Sequence, residues 1–206
     1  LLYDVPVIPD SNFSVLNMEA NWFFNNELIN NGTGKNIGVD MTFERFMKKG
    51  YYYLITASIF DSKFTGDDGI ERNTRFNTNF VFNILGGKEW VFGHENNKIF
   101  SINGRLNVMG GKMTTPVNND LSAVSQNVVY EYSQLFEHRD LPLYLLHTTI
   151  NYRKNKRNHS RLWSLGIINL LFMKENYGMY FNYKTKEVER FDLAVMVPNL
   201  SFKIEF

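Results

Sequence analysis

The sequence predicts an all-β chain, an antiparallel up-and-down barrel whose apolar side chains face lipid. Three observations lead to this fold class. About seven segments alternate apolar and polar residues, with the period of two that places successive strand side chains on opposite faces. The links between these segments are alternately short and long, and aromatic residues cluster beside the short links. A soluble barrel would fill its interior with apolar side chains, whereas a barrel in lipid reverses this arrangement.

Composition narrows the function classes before any motif is considered. The 206 residues carry a formal net charge of +1, so no basic footprint for nucleic acid is visible. The absence of cysteine removes disulfides, thiolate catalysis and Cys-based zinc sites. No stretch of about 18 apolar residues occurs, so no transmembrane helix is indicated. Membrane-spanning strands need only about 9–11 residues, and this length criterion does not detect them. Because Leu1 follows neither an initiator methionine nor a signal peptide, we expect a piece of a longer protein or a processed product.

The first three predicted strands each have one apolar and one polar face. The first, near residues 35–46, has apolar side chains at alternate positions from Ile37 to Phe43. The second, near residues 51–64, repeats this pattern after a tight Lys-Lys-Gly turn. The third, near residues 76–92, sets Phe, Ile and Trp against Asn and Glu. A half-buried strand alternates in this way.

The remaining four predicted strands differ in how clearly they alternate. The strand near residues 99–112 is the cleanest, and the strand near residues 141–154 is looser because two leucines fall on its polar side. The strand near residues 161–174 is the weakest, with Leu and Ile on both faces, and the strand near residues 191–206 ends on an apolar row. The cleanest strand sets Phe100, Ile102, Leu106 and Val108 against Ser101, Asn103, Arg105 and Asn107.

Link lengths predict which ends of the strands lie together. Links after the first, third and fifth strands are short, and the other links are long. In an up-and-down meander, all short links lie at one end, as the periplasmic turns of outer-membrane barrels do, and the C-terminus falls at that same end. Aromatic residues that would form an interfacial girdle flank the short links: Tyr51, Tyr52, Tyr53, Trp90, Phe92, Tyr152 and Trp163.

The motifs favour neither catalysis nor a cofactor, so we expect no enzyme, no metal site and no cofactor. The four histidines are scattered without metal-ligand spacing, and no nucleophile elbow occurs. Asp67, Asp68 and Glu71 offer carboxylates to calcium but lack the alternating ligands of a calcium loop, which favours a solvated turn. The basic run at residues 154–161 fits a solvated hairpin and a contact with anionic lipid headgroups equally well.

Several runs of residues carry a resemblance to a known family. They read NGTGKNIGV at residues 31–39, ERF at 44–46, GYYYL at 50–54, FDSKF at 60–64, GIERNTRFN at 69–77, GGKEW at 86–90 and PNLSFKIEF at 198–206, with Gly110-Gly111 before Thr115-Pro116. Together they resemble the C-terminal part of TonB-dependent outer-membrane receptors of the Bacteroidetes type. The resemblance covers nearly the whole chain, in order and with similar spacing.

The resemblance implies a place in the bacterial cell outer membrane and a role in nutrient uptake. The chain would form seven or eight strands of a barrel of roughly 22 strands with a plugged lumen. Residues 1–30 would be mostly an extracellular loop, and the plug domain would lie outside this sequence. The implied partners are the remainder of the parent barrel and its plug, outer-membrane lipid, a periplasmic energy-transducing protein acting through the plug, and the barrel-assembly machinery. A surface lipoprotein is a further candidate partner.

Two sets of residues are candidates for function within this interpretation. The long loops would face an extracellular ligand through Asp67, Asp68, Arg72, Asn118, Asn119, Asp120, Glu131, Tyr132, Tyr177, Tyr180 and Tyr183. The last strand resembles an assembly signal in its apolar row of Leu200, Phe202, Ile204 and Phe206. Aromatic and acidic side chains suit sugars and peptides equally, so the sequence does not choose the ligand.

A second interpretation of the same pattern stays open at this point. About eight two-faced strands also suit a complete small β-barrel, which holds an apolar ligand in a lipocalin-like manner or stands alone in the outer membrane. The length of the parent chain separates the two interpretations. A parent several times longer with an N-terminal plug supports transport, and a mature chain near this length supports the binding module.

Overall fold

The computed structural model describes residues 1–18 and 26–206. Its strands are β1 (Leu2–Val7), β2 (Ile29–Lys48), β3 (Tyr51–Thr65), β4 (Glu71–Asn73), β5 (Phe80–Phe92), β6 (Lys98–Met109), β7 (Met113–Thr114), β8 (His138–Arg139), β9 (Leu143–Asn155), β10 (Ser160–Ile168), β11 (Glu175–Asn182), β12 (Glu187–Leu193) and β13 (Val197–Glu205). The single α-helix of the described residues, α1, spans Asn119–Ser125. No helix in this part of the chain is long and apolar enough to cross a membrane.

The strands build one large antiparallel sheet with two small sheets at one end. The large sheet has nine strands in the order β1-β2-β3-β5-β6-β9-β10-β13, with β4 added beside β3. The small sheets are β7 with β8 and β11 with β12. The prediction of an all-β antiparallel fold is therefore confirmed. Within the described residues the sheet is open, because β1 and β13 form its two edges and do not pair with each other.

Two predicted strands begin later in the structure than the pattern indicated. The strand predicted near residues 76–92 begins at Phe80, because the Asn77 side chain donates to Asp61 at 2.8 Å and Asn79 adopts a φ of 63°. These contacts hold the preceding residues in turns rather than in a ladder. The strand predicted near residues 191–206 begins at Val197, since Glu187–Leu193 pairs with β11 instead.

The strand predicted near residues 161–174 is β10, which ends at Ile168. Asn169 ends it with a φ of 55°, and its side chain accepts from the Met173 N–H and donates to the Met173 carbonyl, both at 2.9 Å. Asparagine tolerates this left-handed backbone better than most residues. Of residues 1–30, predicted to be mostly loop, Leu2–Val7 is strand, and residues 19–25 lie outside the described part.

The described residues form no apolar core beneath the large sheet. The buried hydrophobic side chains among the described residues all lie at the end of the sheet that carries the long links: Val5, Val7, Phe64, Met113, Leu135 and Phe181. The total accessible surface is 14060 Å², whereas a compact soluble protein of 24.1 kDa exposes roughly 10,000 Å². Such an excess of accessible surface fits a sheet whose faces no other described element covers.

The two faces of the large sheet differ in chemistry. On β2 the apolar row is open to the surroundings, with Ile37, Val39 and Phe43 each more than 60% exposed. The row continues on central strands, where Ile102 is 40% exposed although β6 has a neighbour on both sides. The opposite face is joined by polar side chains, for example where Tyr52 donates to Asn103 at 2.9 Å. Further links on this face are Asn83 to Thr56 at 3.1 Å and Asn151 to Ser101 at 3.2 Å.

One row of aromatic residues crosses five neighbouring strands near the short links. The strand register places these residues directly opposite one another on β5, β6, β9, β10 and β13: Trp90, Phe100, Tyr152, Trp163 and Phe202. Ring centroids lie 5.7 Å apart for Trp90 and Phe100, 5.6 Å for Tyr152 and Trp163, and 5.2 Å for Trp163 and Phe202. Such cross-strand pairs stabilise the ladder and fix its register.

Candidate functional site

The long links gather at one end of the sheet and hold one another in place. The Asn12 side chain donates to the Tyr132 carbonyl at 3.0 Å, across two different links. The Arg75 N–H donates to the Asn17 side chain at 2.8 Å, and Arg139 donates to the Asn77 and Gly111 carbonyls. Side-chain bonds to backbone groups satisfy loop polar atoms that would otherwise be unpaired. The loops therefore form one connected surface, which we name the loop platform.

A cleft of about 460 Å³ opens within the loop platform between the β7 region and the β11–β12 hairpin. Its lining includes Arg75, Lys112, Met113, Thr114, Thr115, Tyr130, Tyr132, Leu135, Phe136, Asp140, Glu175, Asn176, Tyr177, Gly178 and Met179. The Lys112 ammonium lies 3.6 Å from the Glu175 carboxylate at one side of the cleft. Apolar walls with a few polar groups are typical of small-molecule and peptide sites.

Asp140 joins the β11–β12 hairpin to the rest of the platform. Its carboxylate accepts from Arg190 at 2.6 Å and from Asn176 at 3.0 Å. Partial burial alone would raise the pKa of Asp140, but the hydrogen bonds from Arg190 and Asn176 outweigh it and hold the pKa below its ordinary value. The carboxylate is therefore charged at neutral pH and clamps both strands of the hairpin.

The acidic residues predicted in the first long loop have local structural partners. Asp67 accepts from the Asn31 side chain at 2.6 Å and from the Asp10 N–H at 2.7 Å, and both bonds lower its pKa. Asp68 is paired with Arg72 at 2.7 Å, and that hydrogen-bonded partner lowers the pKa of Asp68. These side chains brace the loop, so few of their oxygens remain for a ligand.

The second group of predicted residues surrounds the short helix. Asn118 caps α1 by accepting from the Leu121 N–H at 3.0 Å and also donates to Glu131 at 3.2 Å. A hydrogen bond from Ser133 and, to a smaller extent, one from Asn118 lower the pKa of Glu131. Asn119 and Asp120 are exposed in the first turn of the helix. An N-cap asparagine satisfies an amide at the start of a helix, so Asn118 has a structural role here.

The predicted tyrosines divide between the cleft and the hairpin. Tyr132 and Tyr177 both line the cleft and both are exposed. The Tyr180 hydroxyl donates to Glu189 at 2.8 Å, and that bond raises the pKa of Tyr180. Tyr183 is exposed near the hairpin turn and packs edge-on against Phe181, with ring centroids 5.3 Å apart. Of the predicted ligand-facing residues, the cleft brings together Tyr132 and Tyr177.

The cleft also contains residues that the sequence pattern did not single out. Lys112, Asp140, Glu175 and Asn176 line it, and Arg190 reaches Asp140 from the neighbouring strand. Asp140 is separated by 36 positions from Asn176 and by 50 from Arg190. No local spacing signals a contact of that kind. Carboxylate, ammonium and amide groups beside three phenols suit a ligand rich in hydrogen-bonding groups.

The predicted assembly signal lies on the edge strand β13. Its row is exposed, and Phe202 packs on Trp163 while Phe206 lies 6.2 Å from His159, measured between ring centroids. Leu200 and Ile204 point to the same face, since strand side chains alternate.

Among residues 1–18 and 26–206, no group of three His, Asp or Glu side chains is arranged to hold a metal ion. Comparisons with protein families, with curated proteins and with solved structures found no match to the chain.

Proposed function

We propose that the chain is part of the wall of a TonB-dependent receptor in the bacterial outer membrane, and that the parent protein imports an extracellular nutrient. The observation that carries this proposal is the uncovered apolar face of the large sheet, crossed by its row of aromatic residues. A barrel in lipid needs an outward apolar band with an aromatic girdle at its interface. The polar face, joined by Asn, Ser and Thr side chains, then lines the interior.

The height of the apolar band matches a bilayer. On the apolar face of β2 the row from Ile37 to Phe43 is bounded by Lys35 at one end and Arg45 at the other. Ten steps separate the two charges, which is about 34 Å along a strand and about 26 Å after a tilt of about 40°. Outer-membrane barrels have an apolar band about 25 Å tall.

The loop platform supplies the ligand-facing side in this proposal. All long links lie at the end opposite the short links, which is the extracellular end of an outer-membrane barrel. The cleft beside Tyr132 and Tyr177 is where we place first contact with a ligand. Energy for uptake would come from a periplasmic protein acting on a plug, which is not part of this sequence.

The open edges of the sheet favour a segment of a larger barrel wall rather than a complete small barrel. Within the described residues, β1 pairs with β2 only as far as Gly34, so the remainder of β2 has β3 as its single neighbour. An unpaired backbone group in hydrocarbon costs several kcal/mol. In lipid, β1, β2 and β13 therefore need further strands from the parent barrel.

Membrane fractionation tests the localisation directly. We expect the protein in the outer-membrane fraction, resistant to extraction by urea and released by detergent. Recovery in the soluble fraction without detergent would contradict the proposal.

The gene sequence upstream of the Leu1 codon tests the assignment to this receptor class. We expect it to encode further barrel strands and an N-terminal plug. A reading frame that encodes a mature chain of about this length would instead support the stand-alone binding module.

A further inference from the structure

Three cations lie side by side on the apolar face of the sheet, beside the short links. Lys98 is directly opposite Lys154, and Lys154 is directly opposite Arg161, on the neighbouring strands β6, β9 and β10. Each is two residues from the aromatic row, which is about 7 Å along the strand. Strand alternation places them on the same face as Phe100, Tyr152 and Trp163. We name these three residues the cation row.

The cation row has no anionic partner in the described part of the chain. No carboxylate of residues 1–18 or 26–206 lies within ion-pair distance of Lys98, Lys154 or Arg161. One carboxylate at this end, Glu205, is occupied on the opposite face by Arg153 at 3.6 Å and Lys203 at 2.6 Å. Like charges directly opposite one another in a sheet are destabilising. An anion bound beside the row would relieve this repulsion.

A second observation points to a ligand at the same place. The Nε atom of Arg161 is buried and makes no hydrogen bond to any described residue. A buried guanidinium donor without a partner carries a desolvation cost. Guanidinium groups bind phosphate oxygens through paired charge-assisted hydrogen bonds, and lysines bind phosphate as point charges.

We propose that Lys98, Lys154 and Arg161 form a binding site for the phosphate of an anionic phospholipid, at the rim of the apolar band beside the short links. This inference rests on the proposed membrane function, because it needs Trp163 and its neighbours to lie at the lipid interface. The stems of the lysines and the arginine lie along the band while their charges reach the headgroup level. The phospholipid phosphate neutralises the row.

The same end of the apolar face continues the pattern on β2, β3 and β5. The Arg45 guanidinium carbon lies 4.2 Å from the Tyr51 ring centroid, and the Lys88 ammonium lies 5.4 Å from it. The Lys88 ammonium also donates to the Lys49 carbonyl at 3.0 Å, away from the centre of the band. The sheet therefore carries further cations at this rim on one side of the cation row, on strands β2 and β5.

Tryptophan quenching by brominated lipid tests the site. Trp22→Phe with Trp90→Phe leaves Trp163 as the single tryptophan, next to the cation row. The protein is placed in phosphatidylcholine bilayers that contain a minor fraction of brominated phosphatidylglycerol or of brominated phosphatidylcholine. We expect both lipids to quench Trp163 and phosphatidylglycerol to be preferred by at least about fivefold, since one cation near the surface contributes about that factor.

A matched pair of variants separates the site from general basic charge. Lys98→Gln with Lys154→Gln and Arg161→Gln is expected to abolish the preference for phosphatidylglycerol. Arg153→Gln with Lys156→Gln and Arg157→Gln removes the same number of positive charges and is expected to keep most of the preference. Equal loss in both variants would overturn the site.

The outcomes also distinguish this inference from the proposed function. Quenching by both lipids without a preference would overturn the lipid site and leave the membrane proposal standing. An absence of quenching by either lipid would overturn the membrane proposal itself. Inorganic phosphate, compared with chloride at equal ionic strength, is expected to leave the preference unchanged. A preference erased by phosphate alone would assign the row to a free anion and overturn the lipid assignment.

Discussion

At the scale of single residues, Asp140 determines how firmly the β11–β12 hairpin is held over the cleft. Among the residues that the structure describes, it is the one carboxylate that contacts both Asn176 on β11 and Arg190 on β12. The Arg190 side chain is 41% exposed, so solvent weakens the ion pair, and a contribution of about 1 kcal/mol is the appropriate scale. A free energy of this size is enough to govern local opening of the hairpin without affecting the large sheet.

Asp140→Asn is expected to speed hydrogen exchange of the hairpin amides by about fivefold, because it removes the charge from the clamp. Asp192→Asn is the matched control, since Asp192 contacts Arg190 at the longer distance of 3.4 Å. We expect the control to change exchange much less. Equal effects of the two variants, measured by hydrogen exchange with mass spectrometry, would contradict the role given to Asp140.

The same clamp predicts a pH dependence with a definite sign. The folded-state pKa of Asp140 lies below its ordinary value, which is about 3.9 for aspartate. The stabilisation is therefore present above the ordinary pKa and is lost as the pH falls through the folded-state value. Opening of the hairpin, measured as hydrogen exchange relative to the intrinsic rate of each amide at the same pH, should rise below about pH 4 in the wild type and change less in Asp140→Asn.

Single residues also show why part of the fold was not predictable from the sequence. Leu170, Leu171 and Phe172 prolong an apolar pattern past Ile168, and the pattern predicts continued strand. Asn169 ends β10 through hydrogen bonds to Met173 and through a φ of 55°, and periodicity contains no information about either. The cleft escaped prediction for a related reason, because Asp140 meets residues that are far away in the sequence.

At the scale of elements, strong alternation predicted strands well and loops poorly. The pattern from Phe100 to Val108 predicts β6, and that strand spans Lys98–Met109. The segment 175–190 was predicted to be loop, yet Glu175–Asn182 and Glu187–Leu193 form a hairpin. Tyr177, Met179 and Phe181 do alternate with Gly178 and Asn182 here, but the row is short and β11 has a register shift between Asn176 and Met179.

The edge strand β13 carries the element-scale prediction for assembly. Phe202 extends the aromatic row onto this edge, and an exposed alternating strand is able to add to another sheet. Phe202→Ala with Phe206→Ala is expected to reduce the folded, membrane-inserted fraction severalfold, through lost recognition and a lost aromatic pair worth about 1 kcal/mol.

The matched control for the edge strand is Ser201→Ala, which changes the other face of β13. Resistance of the folded band to heating in detergent gels reports the inserted fraction. Insertion of the double variant at the wild-type level would contradict the assembly role of this row.

At the scale of the whole molecule, the distribution of apolar surface is the feature that has to be explained. The large sheet has a polar face with internal hydrogen bonds and an apolar face with nothing covering it in the described residues. The accessible surface exceeds that of a compact soluble protein of this mass by about 4,000 Å². An exposed apolar patch of a few hundred Å² is already large for a soluble monomer.

The orientation of the two faces of β6 is the central claim, and adjacent residues provide its most direct test. The chain contains no cysteine, so Ile102→Cys and Asn103→Cys each introduce one site for a nitroxide label. In bilayers, we predict that the label at residue 102 is accessible to oxygen dissolved in lipid and protected from a water-soluble nickel chelate, with the reverse at residue 103. A label at residue 102 that is accessible to the nickel chelate, together with a protected label at residue 103, would contradict the account.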